Sequence, residues 1–169
     1  MTGSLSSSRK YDAAKRRVVI VAARFNAEIV DRLVSGATEA WVANGGDPKH
    51  VLVERVPGAF ELPLVAKMFA ASGECDAVIA LGCVIRDDTP HFDYVAGECA
   101  RGLMDAGLVT GVPVIFGVLT TETQEQAEER ADHARMNKGR ESMEAALEMI
   151  ELLSPPAKGR AVRTQSKRK

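Results

Sequence analysis

Four short apolar runs alternate along this chain with longer segments of helical periodicity. The first run, Val18 to Ala22, is continuously apolar, which is typical of a strand covered on both faces of its sheet. Similar runs predict strands at His50 to Val56, Ala77 to Ile85 and Val112 to Leu119. Because strands that are joined by helices run parallel, the pattern predicts a three-layer α/β sandwich around one four-stranded parallel sheet.

The segments between the runs carry the residues that usually begin and end helices. Five helices are predicted, and they begin after Asn26, near Phe60, after Pro90, after Thr123 and near Gly139. Asn26 is of a residue type that is favoured at helix N-caps, and Thr123 lies three residues before Gln126, which is the spacing of a capping box. In the first helix Ile29, Leu33, Ala37 and Trp41 recur every four residues, which predicts a buried stripe.

The charge of the chain is divided between its ends and its middle. The first 17 residues carry a net charge of +4, residues 158–169 carry +6, and residues 18–157 carry −11, although the whole chain sums to −1. A basic tail can contact an acidic surface or simply keep the chain in solution, and the acidic body gives no support to a nucleic-acid-binding domain. We therefore expect flexible basic segments at 1–16 and 155–169, one domain at 17–154, and no nucleic-acid partner.

The sequence contains no signal for export or for a membrane. Its apolar runs are shorter than the roughly 18 residues that a membrane span requires, and the N-terminal segment lacks the apolar core of a signal peptide. The three cysteines, Cys75, Cys83 and Cys99, are an odd number without CxxC spacing. A disulfide framework or a zinc site is therefore not indicated, and we expect a cytoplasmic protein without a membrane partner.

The chemistry is expected at the carboxyl ends of the strands, where parallel sheets bind their ligands. The segments that follow the four strands are Arg24 to Asn26, Pro57 to Glu61, Arg86 to His91 and Thr120 to Thr123. They bring polar, aromatic and charged residues to the same end of the sheet, where the strands have their carboxyl ends. The GxGxxG, GxxxxGK[ST], GxSxG and HExxH motifs are all absent. The sequence therefore lacks the main motif that would indicate a dinucleotide enzyme, a P-loop enzyme, a serine hydrolase or a zincin.

Several residues of these turns have both a chemical and a purely structural interpretation. His91 lies at a helix start, where it is either a general acid/base group or a solvated capping residue. Phe25 and Phe60 either stack on a flat heterocycle or close the end of the core. Glu61 either accepts hydrogen bonds from a ligand or is a first-turn acid favoured by the helix dipole.

Two cations outside these turns, Arg130 and Lys138, are candidate phosphate ligands or members of a solvated helix face. From the residues alone, the site is one for a phosphate and a heterocycle, with a single histidine.

Read as strings, the same turns resemble the 6,7-dimethyl-8-ribityllumazine synthase family of riboflavin biosynthesis. The matching strings are RFN at Arg24 to Asn26, VPGAFELP at Val56 to Pro63, GCVIRDDTPHFDYV at Gly82 to Val95, GVPVIFGVLTTET at Gly111 to Thr123, EQAEER at Glu125 to Arg130, and NKG at Asn137 to Gly139. The strings occur in this order, and the match as a whole covers roughly residues 17–153. The resemblance implies a flavodoxin-like fold and a transferase that condenses 5-amino-6-(D-ribitylamino)uracil with 3,4-dihydroxy-2-butanone 4-phosphate. It implies no metal and no organic cofactor.

The resemblance also assigns roles to individual residues. The pyrimidine and its ribityl chain would contact Phe25, Ala59, Phe60, Glu61, Cys83, Val84, Ile85 and Phe116. Asp88, Thr89 and Arg130 would bind the phosphate, and His91 would transfer protons. Phe116 and Lys138 would reach a site in the adjacent subunit, because the family's pockets lie at subunit interfaces.

The family assembles as pentamers, in many members as a 60-subunit shell, and riboflavin synthase would then be a candidate guest. No insertion precedes NKG, which favours the shell. A container or flavin-binding shell without catalysis and a related riboflavin synthase are the alternatives. The chain departs from the pattern at Asp87, where glycine is usual, and at Asp132 and Met136, where small residues are common. Asp87 is expected to weaken phosphate binding unless its side chain points to solvent.

Overall fold

The computed structural model describes residues 10–154 of the chain. Within that range the strands are β1 (Val18–Ala23), β2 (Val51–Val56), β3 (Ala77–Ile85) and β4 (Val114–Thr121). The helices are α1 (Ala27–Ala43), α2 (Leu62–Ser72), α3 (His91–Thr110), α4 (Gln124–Ala131) and α5 (Lys138–Leu153). Short 3-10 helices at Pro48–His50 and Ala59–Glu61 precede β2 and α2. The alternation of strands and helices confirms the predicted α/β order.

The four strands form one parallel sheet in the order β2-β1-β3-β4. All of β1 and the first seven residues of β3 are buried, because helices cover both faces of the central strands. The edge strands β2 and β4 are more exposed. Chain order reverses between β1 and β3, and a crevice is therefore expected above their carboxyl ends. The sheet confirms the predicted fold class.

Two apolar cores fill the space on either side of the sheet. One packs α1, α4 and α5 against the sheet and contains the fully buried Trp41, whose Nε1 donates to the Asp47 carbonyl at 2.9 Å. The other contains buried residues of α2 and α3. Helices α1 and α5 approach closely because Gly139 lies against the Leu33 carbonyl, where a Cβ would overlap that backbone. The stripe predicted for α1 is buried throughout.

The predicted boundaries differ from the observed ones at several ends. Strand β4 lies two residues later than expected, at Val114–Thr121. Helix α4 ends at Ala131 instead of near Ala134, because Asp132 leaves the helical conformation and its Oδ1 accepts the Ala134 amide at 2.8 Å. The polar spacing around Thr123 does form a cap, with Thr123 Oγ1 accepting the Gln126 amide at 3.3 Å.

The described chain begins upstream of the predicted domain boundary. Tyr11 and Ala13 are buried against the body, and the Tyr11 amide donates to Asn44 Oδ1 at 2.9 Å. Residues 10–16 therefore contribute to packing. The rest of the predicted basic segments, 1–9 and 155–169, lies outside the described residues. No helix in the range 10–154 has the length and apolar character needed to cross a membrane.

Candidate active site

A cavity of about 590 Å³ opens at the carboxyl ends of β1, β2 and β3. This volume lies in the range of small-molecule sites. Its lining includes most of the predicted site residues, namely Phe25, Ala59, Phe60, Glu61, Cys83, Val84, Ile85, Thr89 and His91, together with Asp87 and Phe92. We call it the histidine cavity. It lies at the reversal of strand order, where the fold predicts a ligand.

Backbone hydrogen bonds hold the turns of the histidine cavity together. The Arg24 amide donates to the Val56 carbonyl at 2.8 Å, and the Phe25 amide donates to the Pro57 carbonyl at 3.1 Å. Asn26 has a left-handed conformation, with φ of 57°, and makes no capping bond to α1. The predicted side-chain cap is therefore wrong, although the helix does begin there.

The side chain of Asn26 bonds to a neighbouring strand and not to the start of α1. Its Nδ2 donates instead to the Cys83 carbonyl at 3.0 Å. Asparagine tolerates the left-handed region better than most residues, and its short amide reaches the neighbouring strand end. The turn after β1 is in this way fixed to the end of β3, on which the cavity is built.

The rings of Phe25 and Phe60, two of the aromatic residues that line the cavity, are not parts of the core. Phe25 is 70% exposed and Phe60 is 58% exposed, both beside the cavity. This exposure contradicts the interpretation that they close the end of the core. Flat apolar rings at a cavity rim are suited to stacking on a planar ligand.

Glu61 is oriented by its own turn. Its Oε2 accepts the Gly58 amide at 2.9 Å, as in a capping box. The first-turn interpretation is thus correct for this oxygen. No other residue between 10 and 154 hydrogen-bonds to the carboxylate, so it retains acceptor capacity toward the cavity.

His91 is the first residue of α3 and lines the cavity with an exposed side chain. Its backbone amide lies 3.5 Å from Thr89 Oγ1, which is the limit of a hydrogen bond. The imidazole makes no hydrogen bond or ion pair with any residue in the described range. It is therefore available to a ligand, and its position depends on the backbone of the helix start.

Cys83 lines the cavity, but its thiol is buried. Burial raises the pKa of the Cys83 thiol to about 11, so it is protonated near neutral pH. A thiolate nucleophile is not available at this position. Val84 and Ile85 continue the same wall and are half-buried.

The histidine cavity carries acidic but no permanently basic side chains. Glu61 and Asp87 line it, and none of the lysines or arginines in the part of the chain that the structure describes does so. Asp87 Oδ1 accepts the Asp88 amide at 2.7 Å, so this amide already has a partner. Asp88 itself is exposed and does not line the cavity. A phosphate would find little positive charge here.

The predicted phosphate ligand Arg130 lies elsewhere in the same chain. A second cavity of about 330 Å³, between β4 and the helices α4 and α5, contains Phe116, Arg130 and Lys138. We call it the cationic cavity. One copy therefore brings together Phe116, Arg130 and Lys138, but it does not bring Arg130 beside Thr89.

The polar groups of the cationic cavity are partly paired. Lys138 Nζ bonds to Glu141 Oε2 at 2.6 Å, while Arg130 Nη1 donates to the Gln126 carbonyl at 2.9 Å. Phe116 is 44% exposed on the edge strand. The cavity thus combines an accessible ring with two cations, which suits an anionic or aromatic group that enters from outside.

The NKG segment shapes the edge of the cationic cavity. Asn137 has a left-handed conformation, with φ of 42°, and its side chain accepts the Arg140 amide at 3.0 Å at the start of α5. The carbonyl of Asp132 accepts the Asn137 amide at 2.9 Å. The side chain of Asp132, which departs from the family pattern, adds a bond by accepting the Ala134 amide at Oδ1 at 2.8 Å. Met136 is 37% exposed.

Sequence reasoning missed two residues that organise the histidine cavity. Asn26 was predicted to cap α1, whereas its side chain bonds the turn after β1 to β3. Arg86 was not among the predicted site residues, although it bonds to Asp93 in α3 and to Glu122 in the turn between β4 and α4. The signal available for Arg86 was an arginine at a strand end with a carboxylate seven residues later. Among residues 10–154 no cluster of three or more potential metal ligands occurs.

Comparison with known proteins identifies the same family as the motifs do. The family model of 6,7-dimethyl-8-ribityllumazine synthase matches residues 15–154. Two curated proteins of that name, from two strains of Thermus thermophilus, are each 55% identical over 137 residues, which cover 81% of this chain and 87% of the relative. The chain belongs to the 6,7-dimethyl-8-ribityllumazine synthase family.

Proposed function

We propose that the protein condenses 5-amino-6-(D-ribitylamino)uracil with 3,4-dihydroxy-2-butanone 4-phosphate in a site that two copies of the chain build together. The reaction yields 6,7-dimethyl-8-ribityllumazine, inorganic phosphate and water, and it is the penultimate step of riboflavin biosynthesis. The histidine cavity of one copy would face the cationic cavity of the next.

The observation that carries this proposal is the separation of the two chemistries within one chain. The histidine cavity offers aromatic rings, one histidine and two carboxylates, whereas Arg130 and Lys138 line another cavity. A phosphorylated substrate needs positive charge near the reacting groups. A second copy that presents its cationic cavity would supply that charge.

In this arrangement the histidine cavity binds the pyrimidine. Phe25 stacks on the ring, and Ala59, Phe60 and Glu61 hold the pyrimidine and the ribityl chain. Cys83, Val84 and Ile85 line the pocket through their backbone, and Phe116 of the adjacent copy closes it. The exposed ring of Phe25 and the acceptor oxygen left on Glu61 support these assignments.

The phosphate would lie between the two copies. Thr89, just before α3, binds it from one copy, joined by the Asp88 amide when that amide exchanges its present bond to Asp87 Oδ1 for the phosphate. Arg130 of the adjacent copy supplies the charge. Lys138 of that copy reaches the same region. Arginine presents two N–H groups to an oxyanion, which is why Arg130 would stabilise the departing phosphate.

The reaction needs no nucleophile from the protein, because the amine of the pyrimidine substrate attacks the ketone. Imine formation, phosphate elimination and ring closure require proton transfers, for which the unpaired imidazole of His91 is suited. Much of the remaining acceleration would come from holding both substrates in one site.

An exposed apolar surface supports the association of copies. It contains Leu64 and Met68 on α2, and Tyr94, Met104 and Leu108 on α3; Leu64 is 76% exposed and Leu108 is 75% exposed. Surfaces of this kind usually mark interfaces. We propose a pentamer, and twelve pentamers would form a 60-subunit shell in which riboflavin synthase could reside as a guest. Free thiols at all three cysteines agree with a cytoplasmic location.

The proposed reaction is tested by supplying the purified protein with both substrates. Lumazine fluorescence and phosphate release are followed together against a blank without protein, because the condensation also proceeds slowly alone. We expect equal amounts of both products at a rate well above the blank. A folded, assembled protein that works only at the blank rate would contradict the enzymatic proposal and favour a container or flavin-binding role.

A further inference from the structure

Arg86 connects three elements around the turn that carries His91. Its guanidinium forms a two-pronged pair with Asp93, with Nη1 to Oδ2 at 3.2 Å and Nη2 to Oδ1 at 3.0 Å. Its Nε lies 2.9 Å from Glu122 Oε2, and the cation lies 4.1 Å from the centre of the Phe92 ring. One side chain thus holds the end of β3, the first turn of α3 and the residue after β4.

These contacts surround His91 without touching its imidazole. The turn 87–90 separates Arg86 from His91, and the next two residues, Phe92 and Asp93, are the ones that the guanidinium holds. The imidazole has no hydrogen-bonding partner of its own among residues 10–154. Its direction therefore follows from where the first turn of α3 lies, and Arg86 fixes that turn.

We propose that Arg86 is a positioning residue for proton transfer by His91. By holding Asp93 and Glu122 at once, it keeps the start of α3 at a fixed place relative to the ends of β3 and β4. The imidazole then meets the bound pyrimidine in a reactive geometry. Misplacement by about 1 Å costs an enzyme up to about 100-fold in rate, so this role affects turnover more than substrate binding. The inference rests on the proposed role of His91.

The electrostatics of the cluster fit a permanent clamp. The hydrogen bond from Arg86 holds the pKa of Asp93 below its ordinary value, and the bond to Asp93 likewise raises the pKa of Arg86. Both groups are therefore charged at neutral pH. Their side chains are 37% and 59% exposed, and exposed ion pairs contribute little to folding stability. Loss of the cluster is therefore expected to change the position of the α3 start more than the free energy of unfolding.

The test is a double-mutant cycle of Arg86→Gln and His91→Ala, with kcat and KM measured for both substrates and assembly checked by sedimentation. Arg86→Gln is expected to lower kcat by at least about 10-fold while the pyrimidine KM changes by less than about threefold. In the His91→Ala background the same change is expected to cost less than about twofold, because its effect passes through His91. Arg16→Gln is the matched control, since Arg16 pairs with Asp76 just before β1 and β3, at the end of the sheet opposite to the cavity.

Conservative variants separate geometry from charge. Arg86→Lys keeps the charge but cannot form the fork to Asp93 and reach Glu122 together, so only partial recovery of kcat is expected. If Arg86→Gln does not assemble, Asp93→Asn decides instead, because it leaves the pair of Arg86 with Glu122 intact; a lowered kcat supports the proposal.

Two results would overturn the inference. One is an assembled Arg86→Gln or Asp93→Asn variant with kcat within about twofold of the parent. The other is an equal loss from Arg86→Gln with and without His91. A normal kcat in His91→Ala alone would instead remove the proposed role of His91.

Discussion

The two cavities of this chain differ in charge and in the elements that build them. The histidine cavity is formed by turns at the carboxyl ends of β1, β2 and β3, and its lining includes the carboxylates Glu61 and Asp87 but no lysine or arginine of residues 10–154. The cationic cavity is formed by the edge strand β4 with α4 and α5, and it holds Arg130 and Lys138. Neither contains all that the condensation needs. This difference is the basis of our proposal that each copy contributes one half of two different sites.

The largest effect is expected from a substitution that impairs the histidine cavity alone. His91→Ala should lower kcat by about 100-fold, because general acid–base groups typically contribute at least that factor. The pyrimidine KM should change little, since the stacking surface of Phe25 remains. Steady-state kinetics with each substrate varied in turn measure both quantities. A large loss of pyrimidine affinity with normal turnover would contradict the assigned role.

A change in the cationic cavity should have a different kinetic signature. Arg130→Ala should raise KM for the phosphorylated substrate about 30-fold, because a charge-assisted hydrogen bond is worth about 2 kcal/mol. The pyrimidine KM should stay near its original value. Arg135→Ala is the control, since Arg135 pairs with Glu129 and does not line the cavity. Unchanged saturation by the phosphorylated substrate would remove Arg130 from the site.

Packing behind the cationic cavity can be broken without touching its side chains. Gly139→Ala places a Cβ against the Leu33 carbonyl and should lower the free energy of unfolding by about 1.5 kcal/mol. Urea denaturation measures the change. In Gly107→Ala the new Cβ meets atoms no closer than 3.6 Å, so stability should not fall. Equal stability of the two variants would mean that α5 shifts freely.

The smallest expected effect concerns the acidic charge of the histidine cavity. Asp87→Asn keeps an acceptor for the Asp88 amide but removes one negative charge, so KM for the phosphorylated substrate should fall about threefold. Asp47→Asn is the matched control, because Asp47 also accepts an amide, that of Lys49, far from this cavity. Added salt should reduce the effect of Asp87→Asn. An unchanged KM at low salt would show that the Asp87 carboxylate does not reach the phosphate.

The helices and strands were predictable because apolar residues recur along the sequence with the period of a helix or in the continuous runs of a buried strand. The stripe of Ile29, Leu33, Ala37 and Trp41 fixed α1, and the run Ala77–Ile85 matched β3 at both ends. The element ends that were predicted wrongly depend on side chains that hydrogen-bond to the backbone in place of the helical bonds. Asp132 bonds to the backbone beyond α4 and ends it early, which composition alone does not reveal.

The site was predictable in composition but not in arrangement. Turns after the strands and the family motifs located His91 and Arg130, yet nothing in the sequence placed them in separate cavities of one copy. That separation depends on which edge of the sheet β4 occupies. The bond of Asn26 to β3 and the bond of Arg86 to Glu122 depend in the same way on distances between residues far apart in the chain.

The composite site is tested most directly by co-assembling two impaired variants. They are assayed at a concentration of the phosphorylated substrate well below its KM, where Arg130→Ala and His91→Ala alone both work far below the parent rate. His91→Ala lacks a working histidine cavity, and Arg130→Ala lacks a working cationic cavity. In a mixed assembly, a complete site forms wherever the intact histidine cavity of an Arg130→Ala copy faces the intact cationic cavity of a His91→Ala copy. Random assembly from equal amounts predicts about a quarter of the parent rate, because one interface in four then joins two intact halves. The same variants assembled separately and then mixed are the control. A co-assembled mixture no more active than its separate components would contradict a site shared between copies.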